Sequence, residues 1–249
     1  TTGPAKRVHY TAADLEATLD FFHHGMSTLT GPGSRVLILL PGERPDSVGD
    51  LLARSLDRLG AEAVKHGPVA DPAAAAQALA RSGADCVVGL PVQVLSLVRG
   101  PHAARVPAGQ VQSVLLVSDH VPRAVARAVE EAWGCRVYSH WGMTETGLGG
   151  GVECAARDGD HLREADLLVE VTNAATGRRL PDGSAGEVVI TTLVRQGMPL
   201  IRYRTGDLAA FKAGSCPCGS RLRRLGPVRG RLGQAADLGN GRRLDICDL

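Results

Sequence analysis

The side chains with the most chemical potential in this sequence are concentrated at residues 138–147, which read Tyr-Ser-His-Trp-Gly-Met-Thr-Glu-Thr-Gly. The second half of the stretch combines Trp141, Gly142, Thr144 and Glu145. A ring can stack on a base, a glycine allows close backbone approach, a hydroxyl can hydrogen-bond a phosphate and a carboxylate can hold magnesium. The stretch therefore indicates a nucleotide site, although a polar turn between a strand and a helix can use the same residue types.

Four sulfur- and nitrogen-bearing side chains in the second half have the spacing of a metal site. Cys154 and His161 are followed by a Cys-Pro-Cys-Gly turn that carries Cys216 and Cys218. Three thiolates and one imidazole make a closed tetrahedral zinc set with no position left for water, so the metal would be structural. The other interpretation is a group of ordinary reduced cysteines beside a surface histidine.

Two shorter stretches can contribute to a nucleotide site. Residues 1–6 form a small, hydroxyl-rich turn whose N–H groups can wrap phosphate oxygens while Lys6 adds a positive charge. A frayed terminus is the plainer interpretation of that turn. Asp207 follows a Thr-Gly pair, where its carboxylate can accept hydrogen bonds from both ribose hydroxyls or cap its own turn.

The elements that must position these side chains alternate between strands and helices as far as residue 138. A capping box at Thr11 and Asp14 and the helical spacing up to Met26 predict a first helix. Two further helices are predicted with Asp46 and Asp71 as their N-cap residues. Parallel strands joined by right-handed crossovers bind ligands at their carboxyl ends, and residues 138–147 begin at such an end. Buried strands are predicted at residues 36–40, 86–88, 111–117 and 135–138, and two more helices at 92–99 and 123–133.

The pattern changes after Gly151 to short strands separated by Gly, Asp and Pro turns. We predict strands at residues 167–171, 187–192, 200–203 and 208–211, and a flexible connector at the glycine run 147–151. The expected fold class is α/β, with a doubly wound, mostly parallel sheet followed by a β-rich, zinc-stabilised lobe. The expected subdomains are residues 1–146 and 147–229, with a short segment at 230–249.

Composition excludes several functional classes. The 249 residues are 44% apolar, enough for a substantial core. Lys and Arg number 28 against 26 Asp and Glu, a net charge of +2, which argues against nucleic-acid and membrane-surface partners. The sequence has neither a bilayer-spanning apolar run nor a signal-peptide layout, so we expect a cytoplasmic location. Six cysteines in that compartment are thiols or metal ligands rather than disulfides.

Taken together, the motifs resemble those of the adenylate-forming enzymes, the acyl-CoA synthetase and adenylation-domain superfamily. The resemblance covers most of the chain and is far more specific than any one motif. The cysteine and histidine pairs, with residues 198–203, are similar more narrowly to the phenylacetate-CoA ligase branch. The motifs that carry the wider resemblance are Thr2-Gly3 with Lys6, Trp-Gly-Met-Thr-Glu, Arg204-Thr205-Gly206-Asp207 and Gly230-Arg231.

The resemblance implies a two-step reaction. An organic acid, aromatic by its branch, attacks the α-phosphate of ATP to give an acyl-adenylate and pyrophosphate, and the thiol of CoA or of a carrier protein's phosphopantetheine then takes the acyl group. Glu145 would hold magnesium and Thr144 would contact the α-phosphate. Thr2, Gly3 and Lys6 would cover the other two phosphates, which makes Thr144, Glu145 and Lys6 the catalytic candidates.

The resemblance assigns the nucleoside to a second group of residues. Asp207 would bind the ribose hydroxyls and Arg231 would assist near a hinge. Trp141, beside Gly142, stands where the family usually has tyrosine, and either ring can stack on adenine. Ser118 and Asp119 belong to a turn that reads Gly-Ala-Glu in the family and lies beside the adenine and acyl pocket. This chain departs from that pattern, which leaves the identity of the acid open.

The resemblance also predicts a chain that lacks the family's N-terminal portion and its mobile C-terminal domain, with a hinge starting at residue 230. The competing hypothesis is a zinc-stabilised, catalytically incomplete remnant that binds a nucleotide or a protein partner. A metal-dependent hydrolase is disfavoured because four protein ligands leave no reactive water. The expected partners are a small-molecule carboxylic acid, a carrier protein as one source of the thiol, and a second copy of the chain in a homodimer.

Overall fold

The computed structural model describes residues 6–118, 120–233, 236–237 and 243–244. The α-helices are α1 (Ala12–Met26), α2 (Val48–Leu59), α3 (Pro72–Ser82), α4 (Pro91–Arg99) and α5 (Arg123–Trp133). The strands of the first half are β1 (Arg35–Ile38), β2 (Glu62–Lys65), β3 (Cys86–Gly89), β4 (Ser113–Leu116) and β5 (Arg136–Trp141). Those of the second half are β6 (Gly151–Val152), β7 (Asp160–Leu162), β8 (Leu167–Thr172), β9 (Gly186–Thr192), β10 (Tyr203–Ala209), β11 (Arg224–Leu225), β12 (Gly230–Arg231), β13 (Ala236–Asp237) and β14 (Arg243–Leu244).

An eight-stranded sheet forms the centre of the fold, in the order β11-β7-β6-β5-β4-β3-β1-β2. Five neighbouring strands of this sheet are parallel, in the order β5-β4-β3-β1-β2. Beyond β5, the strands β6, β7 and β11 add antiparallel pairs. The predicted α/β fold with a mostly parallel sheet is confirmed. Since β6, β7 and β11 extend the same sheet past residue 147, the subdomain boundary at 146/147 stays a prediction.

Helices cover both faces of the parallel part of the sheet. Along β1, Val36 and Ile38 pack with Leu19 of α1 and with α2, whereas Leu37 packs with Leu79 of α3 on the opposite face. Successive side chains of a strand point to opposite faces, so the continuous apolar run fills two cores. Because β1, β3, β4 and β5 are parallel, their carboxyl ends lie at the same edge of the sheet.

Local signals account for the helix ends. The capping box is present at α1, where Thr11 N donates to Asp14 Oδ2 at 2.8 Å and Asp14 N donates to Thr11 Oγ1 at 3.3 Å. Asp71 caps α3 as predicted, with its carboxylate accepting from Ala73 N at 2.8 Å. Asp46 was predicted to cap α2, and this prediction is wrong because Ser47 occupies the N-cap position.

A second, four-stranded antiparallel sheet has the order β12-β10-β9-β8. In place of the two strands predicted at 200–203 and 208–211, the structure has one strand, β10 (Tyr203–Ala209), whose pairing with β9 shifts register between Arg204 and Leu208. The irregularity carries Gly206 and Asp207. β2 was not predicted, because this edge strand (Glu62–Lys65) leaves its two terminal residues exposed and none buried, and so shows no apolar run.

Among the described residues, no helix is long and apolar enough to cross a membrane.

Candidate functional site

The turn that follows β5 is the centre of the site. β5 ends at Trp141, and a single 3-10 turn at Thr144–Thr146 follows after Gly142 and Met143. The hydroxyl of Thr146 closes this turn, because it accepts a hydrogen bond from Met143 N at 3.0 Å. The turn lies at the carboxyl edge of the parallel sheet, as predicted for residues 138–147.

Side chains from distant elements hold the backbone of this turn. Three donors bind carbonyls of the turn. One comes from Tyr10 just before α1, one from α1 itself and one from the loop after β9. The pairs are Tyr10 Oη to the Thr144 carbonyl, Arg195 Nη1 to the Glu145 carbonyl at 2.6 Å, and Thr18 Oγ1 to the Gly147 carbonyl at 3.0 Å. We call Tyr10, Thr18 and Arg195 the carbonyl clamp. Because the clamp binds backbone atoms, it leaves the Thr144 hydroxyl and the Glu145 carboxylate available for other contacts.

Asp14 connects the two ends of the clamp. Its carboxylate accepts hydrogen bonds from Gln196 N and Gly197 N, both at 2.8 Å, which ties the loop carrying Arg195 to the first turn of α1. The Arg195 guanidinium also lies 5.1 Å from the centroid of the Tyr10 ring. Sequence reasoning missed the clamp, because its donors are up to 185 residues apart.

Three side chains form a hydrogen-bonded chain beside the turn. Lys6 Nζ donates to the hydroxyl of Tyr203 at 3.0 Å, and that hydroxyl donates to Glu145 Oε1 at 2.8 Å. The hydrogen bond to Tyr203 raises the pKa of Lys6 above its ordinary value. The structure thus brings together Lys6 and Glu145, two of the predicted catalytic residues, through a tyrosine that sequence reasoning did not single out.

A second group joins three of the residues predicted to bind the nucleoside. Trp141 Nε1 donates to Asp207 Oδ2 at 3.1 Å, and Arg231 Nε lies 2.7 Å from Asp207 Oδ1. Asp207 and Arg231 are directly paired across β10 and β12, and Arg231 Nη2 also donates to the Thr205 carbonyl at 2.9 Å. Burial raises the pKa of Asp207, while Trp141 and Arg231 oppose the shift.

The glycines around Trp141 are required by close packing. A Cβ on Gly142 would lie 2.8 Å from the His140 ring and 2.9 Å from Gly149 Cα, and one on Gly150 would lie 2.5 Å from the Trp141 ring. The glycine run predicted as a flexible connector is therefore packed against β5. Trp141 itself is only 6% exposed, and its stacking on adenine stays a prediction.

Other predicted residues are separate from these contacts. Thr2, Gly3 and Asp119 lie outside the described residues, so their proposed roles stay predictions. Ser118 is exposed at the end of β4, with a φ of 70°, and borders a cavity.

The cavity lies between α1, α2 and the carboxyl ends of β1, β3, β4 and β5. Counted together with its opening to solvent, the space measures about 480 Å³. Its lining is apolar except at Ser118 and His140. Burial lowers the pKa of His140 to about 4. The apolar lining residues are Phe21, Phe22, Gly25, Met26, Leu40, Val48, Leu52, Val88, Leu115, Val117, Leu148 and Val152.

The four predicted zinc ligands form a compact cluster beside the antiparallel strands β6 and β7. The donor atoms of Cys154, His161, Cys216 and Cys218 all lie within 4.8 Å of one another. Cys154 Sγ is 3.6 Å from Cys216 Sγ, and Cys218 Sγ is 3.4 Å from His161 Nε2. Thiolates bonded to one tetrahedral zinc lie about 3.8 Å apart, given Zn–S bonds of about 2.3 Å. The first separation is far too long for a disulfide bond, which is about 2.05 Å.

Strand pairing and a buried arginine assemble this cluster. β7, which carries His161, pairs with β6 on one side and with β11 on the other, so Cys154 after β6 comes close to the Cys-Pro-Cys-Gly turn before β11. The Arg224 guanidinium is 3% exposed and donates to the Asp158 and Gly214 carbonyls at 2.9 and 3.1 Å. Gly219 closes the turn with a φ of 84°, which favours glycine.

The electrostatics of the cluster fit a bound cation. Burial raises the pKa of Cys154 to about 11, so its thiolate needs a positive charge nearby. Hydrogen bonding lowers the pKa of Cys218, and the largest contribution comes from the Ser220 backbone. His161 Nδ1 is buried and has no hydrogen-bond partner among the described residues.

A family profile described as "AMP-binding enzyme" matches residues 1–193. The phenylacetate-coenzyme A ligase of Thermus thermophilus is 40% identical over 111 residues, which cover 43% of this chain and 25% of that protein. The enzyme of the same name from Escherichia coli is 32% identical over 111 residues, which cover 44% of this chain and 25% of that protein.

Solved structures resemble the chain over most of its length. A 2-hydroxyisobutyryl-CoA ligase in its postadenylation state superposes with a TM-score of 0.84 at 23% identity, covering 96% of this chain and 52% of that one. An amide bond synthetase from Marinactinospora thermotolerans superposes with a TM-score of 0.64 at 19% identity, covering 88% of this chain and 45% of that one. These likenesses show the fold. The chain spans about half the length of these structures, and its matched part about a quarter of the curated relatives.

Proposed function

The chain belongs to the AMP-binding enzyme family, and on that premise we propose that it activates an organic carboxylic acid with ATP for transfer to a thiol. The acid's carboxylate oxygen would attack the α-phosphorus of ATP, and the bond to pyrophosphate would break. The product is an acyl-adenylate, whose carbonyl a thiol then attacks with release of AMP.

The observation that carries this proposal is the convergence of five motif residues at one edge of the sheet. Lys6 and Glu145 share Tyr203 as a hydrogen-bond partner, and Trp141 and Arg231 share Asp207. These contacts link β5, β10 and β12, which belong to different sheets. Such a junction offers separate groups for phosphates and for a nucleoside, as the reaction requires.

We propose one role for each group. The Thr144 hydroxyl would donate to the α-phosphate, and Lys6, with Thr2 and Gly3, would bind the departing phosphates. The Asp207 carboxylate would accept from the ribose hydroxyls, and Arg231 would keep that carboxylate ionised despite its burial. Trp141, Gly142, Ser118 and Asp119 would border the adenine.

Magnesium fits the oxygen donor that Glu145 presents. Its carboxylate accepts one hydrogen bond, from Tyr203, which leaves lone pairs for a hard cation. When bound, magnesium supplies positive charge that offsets the phosphate charge as pyrophosphate departs. The carbonyl clamp would hold Glu145 in position for that contact.

The cysteine cluster fits zinc in donor type and spacing. Cys154, His161, Cys216 and Cys218 would fill all four positions, so we propose a structural site that joins the loop after β6 to the turn before β11. Because no position remains for water, the site would stabilise the β-rich lobe and take no part in the reaction.

The substrates are proposed at the level that the relatives support. The names of the curated relatives contain phenylacetate and coenzyme A, which favours an aromatic acid and CoA, with a carrier-protein phosphopantetheine as the other thiol. The apolar cavity beside Ser118 would take the tail of the acid. A homodimer, a cytoplasmic location and subdomains at 1–146, 147–229 and 230–249 stay predictions.

Calorimetric titration of the chain with AMP and with Mg-ATP tests this proposal. We expect wild-type protein to bind both. Glu145→Gln should weaken Mg-ATP binding about tenfold, because it removes the charge that holds the cation, and should leave AMP binding unchanged. Glu131→Gln on the exposed side of α5 is the matched control and should change neither affinity.

Pyrophosphate release with a panel of aryl and aliphatic acids then separates the two hypotheses. Release that depends on the acid supports the adenylation reaction. Binding of AMP without release from any acid supports the catalytically incomplete remnant. A folded protein that binds neither nucleotide would contradict the adenylation reaction and would leave only a remnant that binds a protein partner.

A further inference from the structure

Gly25 occupies a position that is unfavourable for its residue type. It is buried in the last turn of α1, directly before the final helical residue Met26. Apart from proline, glycine is the least favourable residue in a helix, because it loses the most conformational freedom on folding. A buried helical glycine therefore calls for an explanation in its surroundings.

Neither the backbone conformation nor the end of the helix explains Gly25. Its φ lies outside the left-handed region that favours glycine, and the C-cap of α1 is Ser27 in right-handed helical backbone. A glycine that ends a helix normally follows the last helical residue and adopts a positive φ, as Gly60 does after α2 with 76°. The backbone at position 25 would accept alanine without strain.

Close packing does not explain Gly25 either. A Cβ at this position would lie 3.4 Å from Val152 Cγ1, which is an ordinary van der Waals distance. Outside α1 and its chain neighbours, only two heavy atoms of the described residues would lie within 4 Å of that Cβ, and both belong to Val152. The glycine of α2, Gly49, is different, because a Cβ there would lie 2.7 Å from the Pro41 carbonyl oxygen. Packing therefore requires glycine at position 49 and leaves room for a methyl group at position 25.

The room beside Gly25 belongs to the apolar cavity. Gly25 and Val152 both line this cavity, together with Phe22 and Met26 from the same part of α1. A side chain at position 25 would occupy part of the cavity, because the one side chain that its Cβ would meet is itself a wall of the cavity. The missing side chain thus enlarges the space that a bound tail can fill.

We propose that Gly25 determines the size of the acid that the cavity accepts, because its lack of a side chain makes room for an apolar tail as bulky as an aryl ring. This inference rests on the proposed adenylation function, since it assigns the cavity to the tail of the acid. It also explains why α1 contains glycine where alanine would give a more stable helix. Added methyl groups are poorly tolerated in closely packed spaces, so one extra carbon here should discriminate between tails.

The test compares two acyl-adenylate mimics in which a sulfamoyl group replaces the phosphate, one with an acetyl tail and one with a phenylacetyl tail. We expect wild-type protein to bind the phenylacetyl mimic on the order of tenfold more tightly, because the ring buries apolar surface. Gly25→Ala should weaken binding of the phenylacetyl mimic about tenfold, and Gly25→Val about 100-fold, whereas the acetyl mimic should bind as before. Gly25→Ala should also raise the melting temperature by about 1–4 °C.

Gly31→Ala is the matched control. Gly31 lies in the loop after α1 and is not among the residues that line the cavity, and a Cβ there would meet none of the described residues within 4 Å. This variant should bind both mimics as wild type does. AMP, which has no tail, should bind wild-type protein and every variant equally.

Several results would overturn this inference and leave the adenylate site intact. Gly25→Ala and Gly25→Val that bind the phenylacetyl mimic as wild type does would show that position 25 does not limit the tail. An equal loss for both mimics would assign the effect to the whole site. A lower melting temperature in Gly25→Ala would show that packing requires the glycine, and equal binding of the two mimics by wild type would remove the tail from the cavity. Failure of wild-type protein to bind AMP or any mimic overturns both proposals.

Discussion

The cysteine cluster and the turn after β5 both gather residues from distant parts of the chain, but their polar atoms are satisfied in opposite ways. At the turn, Glu145 and Asp207 already have protein donors, and the backbone carbonyls are held by the clamp. In the cluster, Cys154 Sγ faces Cys216 Sγ, and Cys218 Sγ lies 3.4 Å from an imidazole nitrogen. The groups of the first region are oriented by protein contacts before a ligand binds, whereas the second region consists of donors that need a cation.

The difference indicates how each region would respond to its ligand. A structural metal would supply folding free energy, because thiolates gather at one point only when a cation compensates their charge. A nucleotide would bind to groups that are already oriented, so its contribution would appear as affinity and not as folding. Changes in the cysteine cluster should therefore alter mainly the stability of the protein, and changes at the turn should alter mainly its affinity for nucleotides.

Removal of the metal should have the largest effect. We expect chelation, or Cys216→Ala, to lower the free energy of unfolding by about 5 kcal/mol, because the cluster cross-links two parts of the β-rich lobe. Urea unfolding and zinc analysis of the purified protein measure this. Cys135→Ala, a buried cysteine outside the cluster, should cost only about 1–2 kcal/mol and keep the metal. Unchanged stability in Cys216→Ala would remove the contrast between the regions.

Acid should act on β5 through His140. Its pKa of about 4 lies below the 6.5 expected when unfolded, so the unfolded chain binds more protons between these values and stability falls as pH decreases from 6.5 to 4. The full difference corresponds to about 3 kcal/mol. Urea unfolding at several pH values should show a shallower decrease in His140→Asn than in wild type. Parallel slopes would mean that the acid sensitivity belongs to other groups, including the metal ligands.

Loss of the Asp207 charge should weaken nucleotide binding. We expect Asp207→Asn to reduce AMP affinity about 10- to 100-fold, since hydrogen bonds to a charged group contribute about 1.5–3 kcal/mol. Calorimetric titration measures it. Asp182→Asn breaks an exposed ion pair with Arg223 and should leave AMP affinity unchanged. Equal affinities in the two variants would show that Asp207 holds Arg231 and Trp141 but does not bind the ribose.

The smallest expected effect is that of the carbonyl clamp. Arg195→Met should lower Mg-ATP affinity by about fivefold, roughly 1 kcal/mol, because Glu145 loses the donor that fixes its backbone. AMP affinity should not change, since AMP needs no magnesium. Arg81→Met on the exposed side of α3 is the matched control. A parallel loss of AMP affinity would assign Arg195 to the whole turn and not to the metal position.

Local signals in the sequence were sufficient for much of the fold. The capping box of α1, the Asp71-Pro72 start of α3 and the apolar run of β1 each depend on neighbouring residues, so they were predicted correctly. β2 was missed because an exposed edge strand needs no apolar run. β10 was divided in two because the irregularity that contains Asp207 reads as a turn until β9 and β12 pair on both sides of it.

The candidate site was predictable where motifs carry residue types and not where contacts cross the fold. The sequence indicated Glu145, Asp207 and the four metal-type ligands. It did not indicate Tyr203 or Arg195, because ordinary tyrosines and arginines acquire a role only through the partner they meet. Gly142 was assigned to close approach by a ligand, and its surroundings show that it is also required by the packing of His140 and Gly149.

The sequence by itself determined the strand and helix alternation, the family motifs and the donor set of the cysteine cluster, because each depends on residue type and short spacing. Only the tertiary structure decided which groups share a hydrogen bond and which carbonyls are clamped. Those outcomes depend on distances between residues far apart in the chain. Such distances are set when the two sheets and the helices pack, and no local pattern encodes them.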